Sequence, residues 1–599
     1  MRMLQKSVYL WLAVWALGGW LMAQERVVIR GGTLVDVRDG SLVPDTVIVL
    51  EGDRIVSVSS GGPLPPGGTV IDATGKYILP GLIDLHVHYK DWAPELFLNH
   101  GVTTVVDLGS SHEWIKAQKE GIQSGLIPGP RLFISTYNLD GPPADENYFL
   151  RPYVEIVKDP EEALLSVRRQ ITEKVDAVKV YDGLSIAVLR VLVREAEKAN
   201  IPVIGHFRSV RDAAEVGAHG VEHTYPVARA VLDTQARDEA LQKVRKGVNL
   251  PPESFMDMEK LPEIIQLMVS NGLYLNPTLR DYWKGEQALR DKGFHYEDFD
   301  LLFNDWRLRY VPLNWRLADL KLYQEIGMWH WADLSQYERD LFHQGYTNAQ
   351  RLIKMFVDAG GKLYAGTDCA NICIPGLGLL QELDLLVDAG VSPLQALQAA
   401  TINSAELMRM EDRLGTLEEG KVGDVLILDA NPLEDIRDIR KIALVISRGQ
   451  VLDGLYHADF RNPIPENVPY DSRLFFPSPR IQWASPEAIL EGAQNATLTV
   501  HGTGFIPYSF VRFNGQQLKT TFVDEFQLTA ELPPKLLEPG TYAITVENPD
   551  FAWGTIYASG ASDLAHLGIR DYISNEFLVL VKPQGGAPIF PHPREASKN

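Results

Sequence analysis

Between residues 81 and 414 the chain repeats one arrangement: a short apolar run that reads as a buried strand, then a stretch that reads as a connecting helix. Eight such runs stand out, at 83–88, 103–108, 131–136, 177–181, 202–206, 220–223, 273–278 and 363–368. Amphipathic stretches separate several of them, as at 186–199 and 348–359. Strand–helix alternation implies parallel strands, because each helix carries the chain back to the end where the last strand began. Eight units predict an α/β fold, a (β/α)8 TIM barrel over 81–414. A unit takes roughly 30 residues in such barrels. The step from 223 to 368 is too long for its two units, and the excess falls at 228–260 and 280–345. Insertions after strands lie over the catalytic face. The second is rich in aromatics, from Tyr282 and Trp283 to Tyr323, Trp329 and Trp331. It reads either as a wall for an apolar substrate pocket or as a helical subdomain with its own core.

Five runs end in residues that bind metals or move protons: His86 and His88, Lys179, His206, His223 and Asp368. Nitrogen and carboxylate ligands at strand C-termini are what a metal site on such a barrel needs. His-x-His on a strand turns both imidazoles the same way, because side chains repeat with period two. Lys179 is the odd member, since a protonated lysine repels a cation. Carboxylation by CO2 makes it a bridging carbamate; the alternative is a free lysine that binds a substrate carboxylate. Two divalent ions are expected, with zinc as the metal. They generate a nucleophile at neutral pH and polarise a carbonyl. Asp368 is the expected acid/base, taking a proton from water and passing it to the leaving amine. Arg208, Tyr225 and Tyr181 lie close enough to ligand positions to be candidate contacts for a small-molecule substrate. An internal ion pair or a packing role is the alternative for each.

The net charge of −21 argues against a nucleic-acid or anionic-membrane partner. Residues 1–23, with Arg2, Lys6 and an apolar run over 8–22, read as a signal peptide. The mature protein is therefore expected to be exported, periplasmic or secreted, with no membrane span. Cys369 and Cys373 form either one local bridge or two small residues in a crowded loop. Residues 24–80 and 415–456 are β-rich and turn-punctuated, which suggests one small β-sandwich built from both ends of the catalytic region. A Pro-rich linker follows at 457–479, then a β-rich segment at 480–583 and a disordered tail at 584–599. Asn514-Gly515 is a strong hairpin signal within that segment, which reads as an Ig-like sandwich.

Several motifs in combination carry a family resemblance. They are Pro80-Gly81-Leu82-Ile83-Asp84-Leu85-His86-Val87-His88, Val178-Lys179-Val180, Gly205-His206, Glu222-His223 and Ala365-Gly366-Thr367-Asp368. Ser392-Pro393-Leu394-Gln395-Ala396-Leu397 and Leu414-Gly415-Thr416-Leu417-Glu418-Glu419-Gly420-Lys421-Val422-Gly423-Asp424 extend the match. Over 26–455 the chain resembles the amidohydrolase superfamily, in its imidazolonepropionase-like and prolidase-like branch. The resemblance implies that His86 and His88 bind a buried metal, His206 and His223 an outer one, and carboxylated Lys179 bridges them. It gives Asp368 to the buried metal and to the acid/base role. Many relatives carry a histidine before the Glu382-Leu383 pair; this chain has none over 374–382, which bears on substrate details. Related deaminases usually carry a Glu shortly after the last histidine. Here His223 is followed by Thr224-Tyr225-Pro226, which disfavours deamination. The segment 480–583 resembles the IPT/TIG Ig-like family on Leu498-Thr499-Val500-His501-Gly502-Thr503-Gly504-Phe505, Val511-Arg512-Phe513-Asn514-Gly515 and Pro539-Gly540-Thr541-Tyr542. Such domains imply a spacer or a surface or protein contact. The expected activity is hydrolysis of a C–N bond, with dipeptides or N-acyl amino acids as substrates. Lactone, ester or cyclic-amide hydrolysis at the same centre is an alternative, and a catalytically inactive exported binding protein is another. A homo-oligomer is left open.

Overall fold

The computed structural model describes residues 26–142, 154–244, 248, 250–283, 286–312, 315, 334–369, 373–465, 479–494, 496–503, 505, 509–524, 526–547 and 577–582. The signal-like segment 1–23, the tail 584–599, and Tyr323, Trp329 and Trp331 lie outside these residues. Two compact units emerge, one over 1–142, 152–298 and 325–466, the other over 143–151, 299–324 and 467–599.

The first unit opens with β1 (Arg26–Val35), β2 (Leu42–Glu51), β3 (Arg54–Ser60), β4 (Thr69–Asp72) and β5 (Tyr77–Pro80). Ten short parallel strands follow: β6 (Leu82–Val87), β7 (Val102–Asp107), β8 (Arg131–Ile134), β9 (Asn138–Asp140), β10 (Val154–Ile156), β11 (Val178–Val180), β12 (Val203–Gly205), β13 (Gly220–Glu222), β14 (Tyr274–Asn276) and β15 (Lys362–Leu363). The unit ends with β16 (Val425–Leu428), β17 (Ile442–Ser447) and β18 (Gln450–Val451).

The parallel strands form two sheets, β6-β7-β8 and β10-β9-β11-β12-β13-β14-β15. Most of them are buried on both faces, which is why the sequence reads as continuous apolar runs there rather than alternation. Backbone hydrogen bonds run between the sheets: Leu85 N donates to Ala365 O (2.9 Å), just past β15, and Asp176 N donates to Ile134 O (2.8 Å), just ahead of β11. All eight expected runs hold strands; β9 and β10 are additional, and β9 pairs with β11. The connecting helices follow their capping signals. The helix Ile186–Lys198 starts where Ser185 Oγ accepts from Val188 N, and it buries Val188, Leu189, Leu192, Val193 and Ala196. Asn200 just beyond it takes φ 59°, a left-handed stop.

Strands from both ends of the catalytic region do share a sheet, ordered β18-β17-β16-β5-β1-β2-β3 with β4 also on β1. It is one forked sheet, not the separate pair of sheets that a sandwich requires. The fork arises because β1 shifts register around Gly32. Its first half, Val27–Arg30, pairs with β4 and its later Thr33 and Leu34 pair with β5. Val27, Ile29, Ile48, Leu50, Ile78, Val425 and Ile427 fill one side of it.

The second unit contains β19 (Arg480–Ser485), β20 (Ala488–Leu490), β21 (Ala496–Thr503), β22 (Phe510–Phe513), β23 (Gln516–Gln517), β24 (Lys519–Asp524), β25 (Gln527–Leu532), β26 (Gly540–Glu547) and β27 (Phe577–Lys582). They form sheets β19-β21-β25-β24 and β20-β27-β26-β22-β23 around Leu498, Val500, Phe513, Leu528 and Ile544. Asn514 (φ 49°) and Gly515 (φ 79°) make the two-residue hairpin between β22 and β23.

Part of the Pro-rich stretch is not a free linker. Asn99 Nδ2 donates to Leu455 O (2.9 Å), Trp114 Nε1 to Ile464 O (3.2 Å) and Asn462 Nδ2 to Asp91 O (3.0 Å). His457 Nδ1 meets the Glu95 carboxylate at 2.6 Å. A chain ending near residue 470 keeps all of these bonds. It is expected to fold, to melt within a few degrees of the full-length protein and to keep its turnover, as calorimetry and a kinetic assay would show. Loss of turnover with normal metal content would mean that the second unit helps build the site.

Candidate metal centre

The ligand candidates sit where strands turn into loops. His86 lies on β6 and His88 just past it, and Lys179 is the central residue of β11. His206 and His223 directly follow β12 and β13, and Asp368 follows β15 by a short loop. His223 (φ 64°) and Asp368 (φ 57°) both occupy the left-handed region. That conformation costs a non-glycine residue about 1 kcal/mol or more and persists only where the surroundings impose it. Here backbone bonds do so: His223 N donates to Asn276 O and Asp368 N to His86 O, each at 2.7 Å. Two glycines permit the close approach of these segments. A Cβ on Gly205 would lie 2.0 Å from Val180 O, and one on Gly366 would lie 2.6 Å from His86 Cβ.

The side chains converge. His88 Nε2 is 2.9 Å and His86 Nε2 3.5 Å from Asp368 Oδ1. These three donor atoms lie within 4.8 Å of one another, the one such group among the described residues. The other Asp368 oxygen is 3.8 Å from His223 Nε2, which is itself 3.0 Å from His206 Nε2. Lys179 is fully buried, with Nζ 3.5 Å from His86 Nε2 and 3.9 Å from Glu222 Oε1. Burial pushes its amine below the ordinary lysine value, toward the uncharged form that reacts with CO2.

The hydrogen-bond network fixes the ring tautomers. His86 Nδ1 lies 2.8 Å from the Glu222 carboxylate, an acceptor, so Nδ1 carries a proton and Nε2 is the ring nitrogen facing Asp368. His223 Nδ1 bonds Thr278 Oγ1, whose own hydroxyl donates to Pro277 O (2.8 Å), so His223 Nε2 presents a lone pair. Burial depresses His206 well below the ordinary histidine value and His223 to about 4, so both rings are neutral near pH 7. Burial raises the Asp368 carboxyl, but the nearby His86 and His88 outweigh it and hold the group well below the usual carboxylate range. Four imidazoles converging on one carboxylate form a donor set of the type that fits divalent cations.

Four supporting residues escape a reading of ligand types alone. Glu222 is buried between His86 and Lys179, and Asn276 Nδ2 donates to it (2.6 Å). Thr278 orients His223. Asp84 accepts from Thr367 Oγ1 (2.7 Å) and Thr367 N (3.1 Å), tying the Asp368 loop to β6. The signal was present in part, because Glu222 and Asn276 are polar residues at the ends of buried apolar runs.

Of the substrate candidates, Tyr181 and Tyr225 stand beside the outer pair. The Tyr181 ring is 4.4 Å from that of His206, and Tyr225 stacks 5.7 Å from His223. Tyr282, from the start of the aromatic insertion, adds a third ring 6.0 Å from His223. Arg208 is exposed, with its charge next to Asp212. Cys369 and Cys373 are both buried, and the Cys373 thiol donates to Thr367 O at 3.6 Å.

The parallel α/β unit thus carries a candidate metal site of His86, His88 and Asp368 at its strand ends. The chain belongs to the amidohydrolase family, whose profile matches residues 95–452, and residues 479–562 match the IPT/TIG domain. Among curated proteins it is similar to adenine deaminase 4 of Rhizobium meliloti (24% identity over 71% of this chain and 56% of that protein). It is also similar to adenine deaminase 1 of Latilactobacillus sakei (22%, over 73% and 59%). The chain thus spans less than two thirds of those relatives. Among solved structures, a prolidase-type protein of Bifidobacterium longum matches with TM-score 0.53 and 22% identity, over 74% of this chain and 98% of that one. An ochratoxinase of A. niger matches with TM-score 0.52 and 20% identity, over 73% and 99%. At these identities the likeness is one of fold.

Proposed function

We propose that the protein is an exported hydrolase of an amide or peptide-like C–N bond, acting on dipeptides or N-acyl amino acids, with two divalent metal ions, zinc by preference. In this reading the two parallel sheets close into a (β/α)8 barrel; His86 and His88 would hold one ion, His206 and His223 the other, and Lys179, once carboxylated, would supply a further oxygen donor. The observation that carries the reading is the position of Asp368, one oxygen at 2.9 Å from His88 and the other at 3.8 Å from His223. Bound ions of this kind supply a low-pKa water and polarise a carbonyl. Asp368 takes the proton of the attacking water, holds it on its carboxyl and delivers it to the departing amine nitrogen. Glu222 and Thr278 keep the His86 and His223 tautomers fixed throughout, and the Tyr181, Tyr225 and Tyr282 rings supply an apolar wall. Deamination is disfavoured because His223 is followed by Thr224-Tyr225-Pro226, where the resemblance would lead one to expect a Glu shortly after the last histidine of a deaminase. The apolar run at 8–22 supports export.

Incubating the zinc-loaded mature protein with dipeptide and N-acyl amino acid libraries tests this. Release of a free amino acid by the protein, absent after chelation, is the expected result. Ammonia released from adenine with no amide cleavage would replace the reading with deamination.

A further inference from the structure

The loop beyond β14 carries a strained residue on which the site depends. Thr278 has φ 47°, a left-handed conformation that a β-branched residue adopts only where its surroundings impose it. Its hydroxyl bonds His223 Nδ1 and donates to Pro277 O (2.8 Å), so this backbone sets the angle of an outer-pair imidazole. The next two backbone N–H groups show what imposes the conformation. Leu279 N donates to Glu382 Oε1 (3.0 Å) and Arg280 N to Glu382 Oε2 (2.6 Å). Glu382 lies on the helix Leu377–Asp388 and is fully buried.

The same helix holds this segment a second time. Arg280 Nε donates to Oε1 of the neighbouring Gln381. Arg280 Nη2 pairs with Asp298 Oδ2 at 2.6 Å, and Gln381 Nε2 donates to the other Asp298 oxygen (2.9 Å). The guanidinium therefore bonds Gln381 and Asp298, while both Glu382 oxygens go to backbone. Taking a carboxylate out of water is costly. The two N–H bonds favour its ionised form, yet burial pushes the carboxyl up to about 7. A glutamine would avoid that cost, but its NH2 cannot accept the second N–H. A carboxylate at this place is thus matched to the two N–H groups that follow Thr278.

We propose that Glu382 is a positioning residue for the outer metal site. By accepting the N–H groups of Leu279 and Arg280 it holds the Thr278 hydroxyl against His223 and keeps His223 Nε2 turned toward His206 and Asp368. This rests on the two-ion reading above.

The test uses the full-length protein with zinc as the probe, titrated against a chromogenic chelator so that the two binding steps are read separately. In Glu382→Gln one step should weaken roughly 10-fold, the low end of the effect of losing a residue that orients a metal ligand. The other step and the melting temperature of the metal-free protein should stay near wild type. Thr278→Val should weaken the same step. Adding Glu382→Gln to Thr278→Val should weaken it no further, because Glu382 acts through that hydroxyl. Glu382→Asp, which keeps both oxygens on a shorter stem, should fall between the wild type and Glu382→Gln, and it takes the place of Glu382→Gln in the cycle if the amide does not fold. Additive losses in the double variant, both steps weakened alike with a lowered melting temperature, or two unchanged steps in Glu382→Gln overturn the positioning role and leave the two-ion reading intact. A wild-type protein that takes up fewer than two zinc ions overturns both.

Discussion

Asp368→Asn is expected to lower turnover by roughly 10²–10⁴-fold, the range for loss of a general acid/base. The amide keeps the shape and one oxygen donor, so most of the bound metal should remain, and metal analysis on the same sample reads that out. The size of the effect follows from the geometry. Among the described residues, Asp368 is the one carboxylate paired with His86, His88 and His223 together, and its left-handed backbone is held by the bond from its N–H to His86 O. Turnover that survives intact would move the proton transfer to another group. With Glu222 engaged by His86 and Asn276, the described residues near the pair leave few alternatives.

Lys179→Ala should be more severe, removing most of the metal together with the activity. Lys179 is completely buried beside His86 and Glu222, so truncation leaves a cavity within the ligand cluster. High bicarbonate with a short carboxylic acid should restore part of the rate, because a small carboxylate can occupy the place of the proposed carbamate. A Lys179→Ala protein with full metal and full rate would remove the bridging role.

Much of the fold was legible because parallel strands covered on both faces leave continuous apolar runs, as in 82–87 and 102–107. β9 was not, since Asn138 and Asp140 give three residues no apolar signature and its pairing with β11 is set by tertiary contacts. The fork at β1 depends on register shifts around Gly32, which no pattern of residue types announces. At the site, ligand chemistry and strand ends together picked out residues that the structure brings within hydrogen-bonding reach of one another. Thr278 was missed because a threonine beyond a strand looks like any turn residue; only its position against His223 gives it a role. The stretch at 455–465 reads as linker from its prolines, yet Asn462, Trp114 and Gln118 fasten it to the first unit.

The central claim is a metal centre that performs C–N hydrolysis. Metal analysis of protein purified without chelators, paired with turnover before and after chelation and zinc readdition, tests it most directly. The expected result is about two divalent ions per chain, with turnover abolished by their removal and restored by zinc. A metal-free protein that turns over its amide substrate at full rate would contradict it.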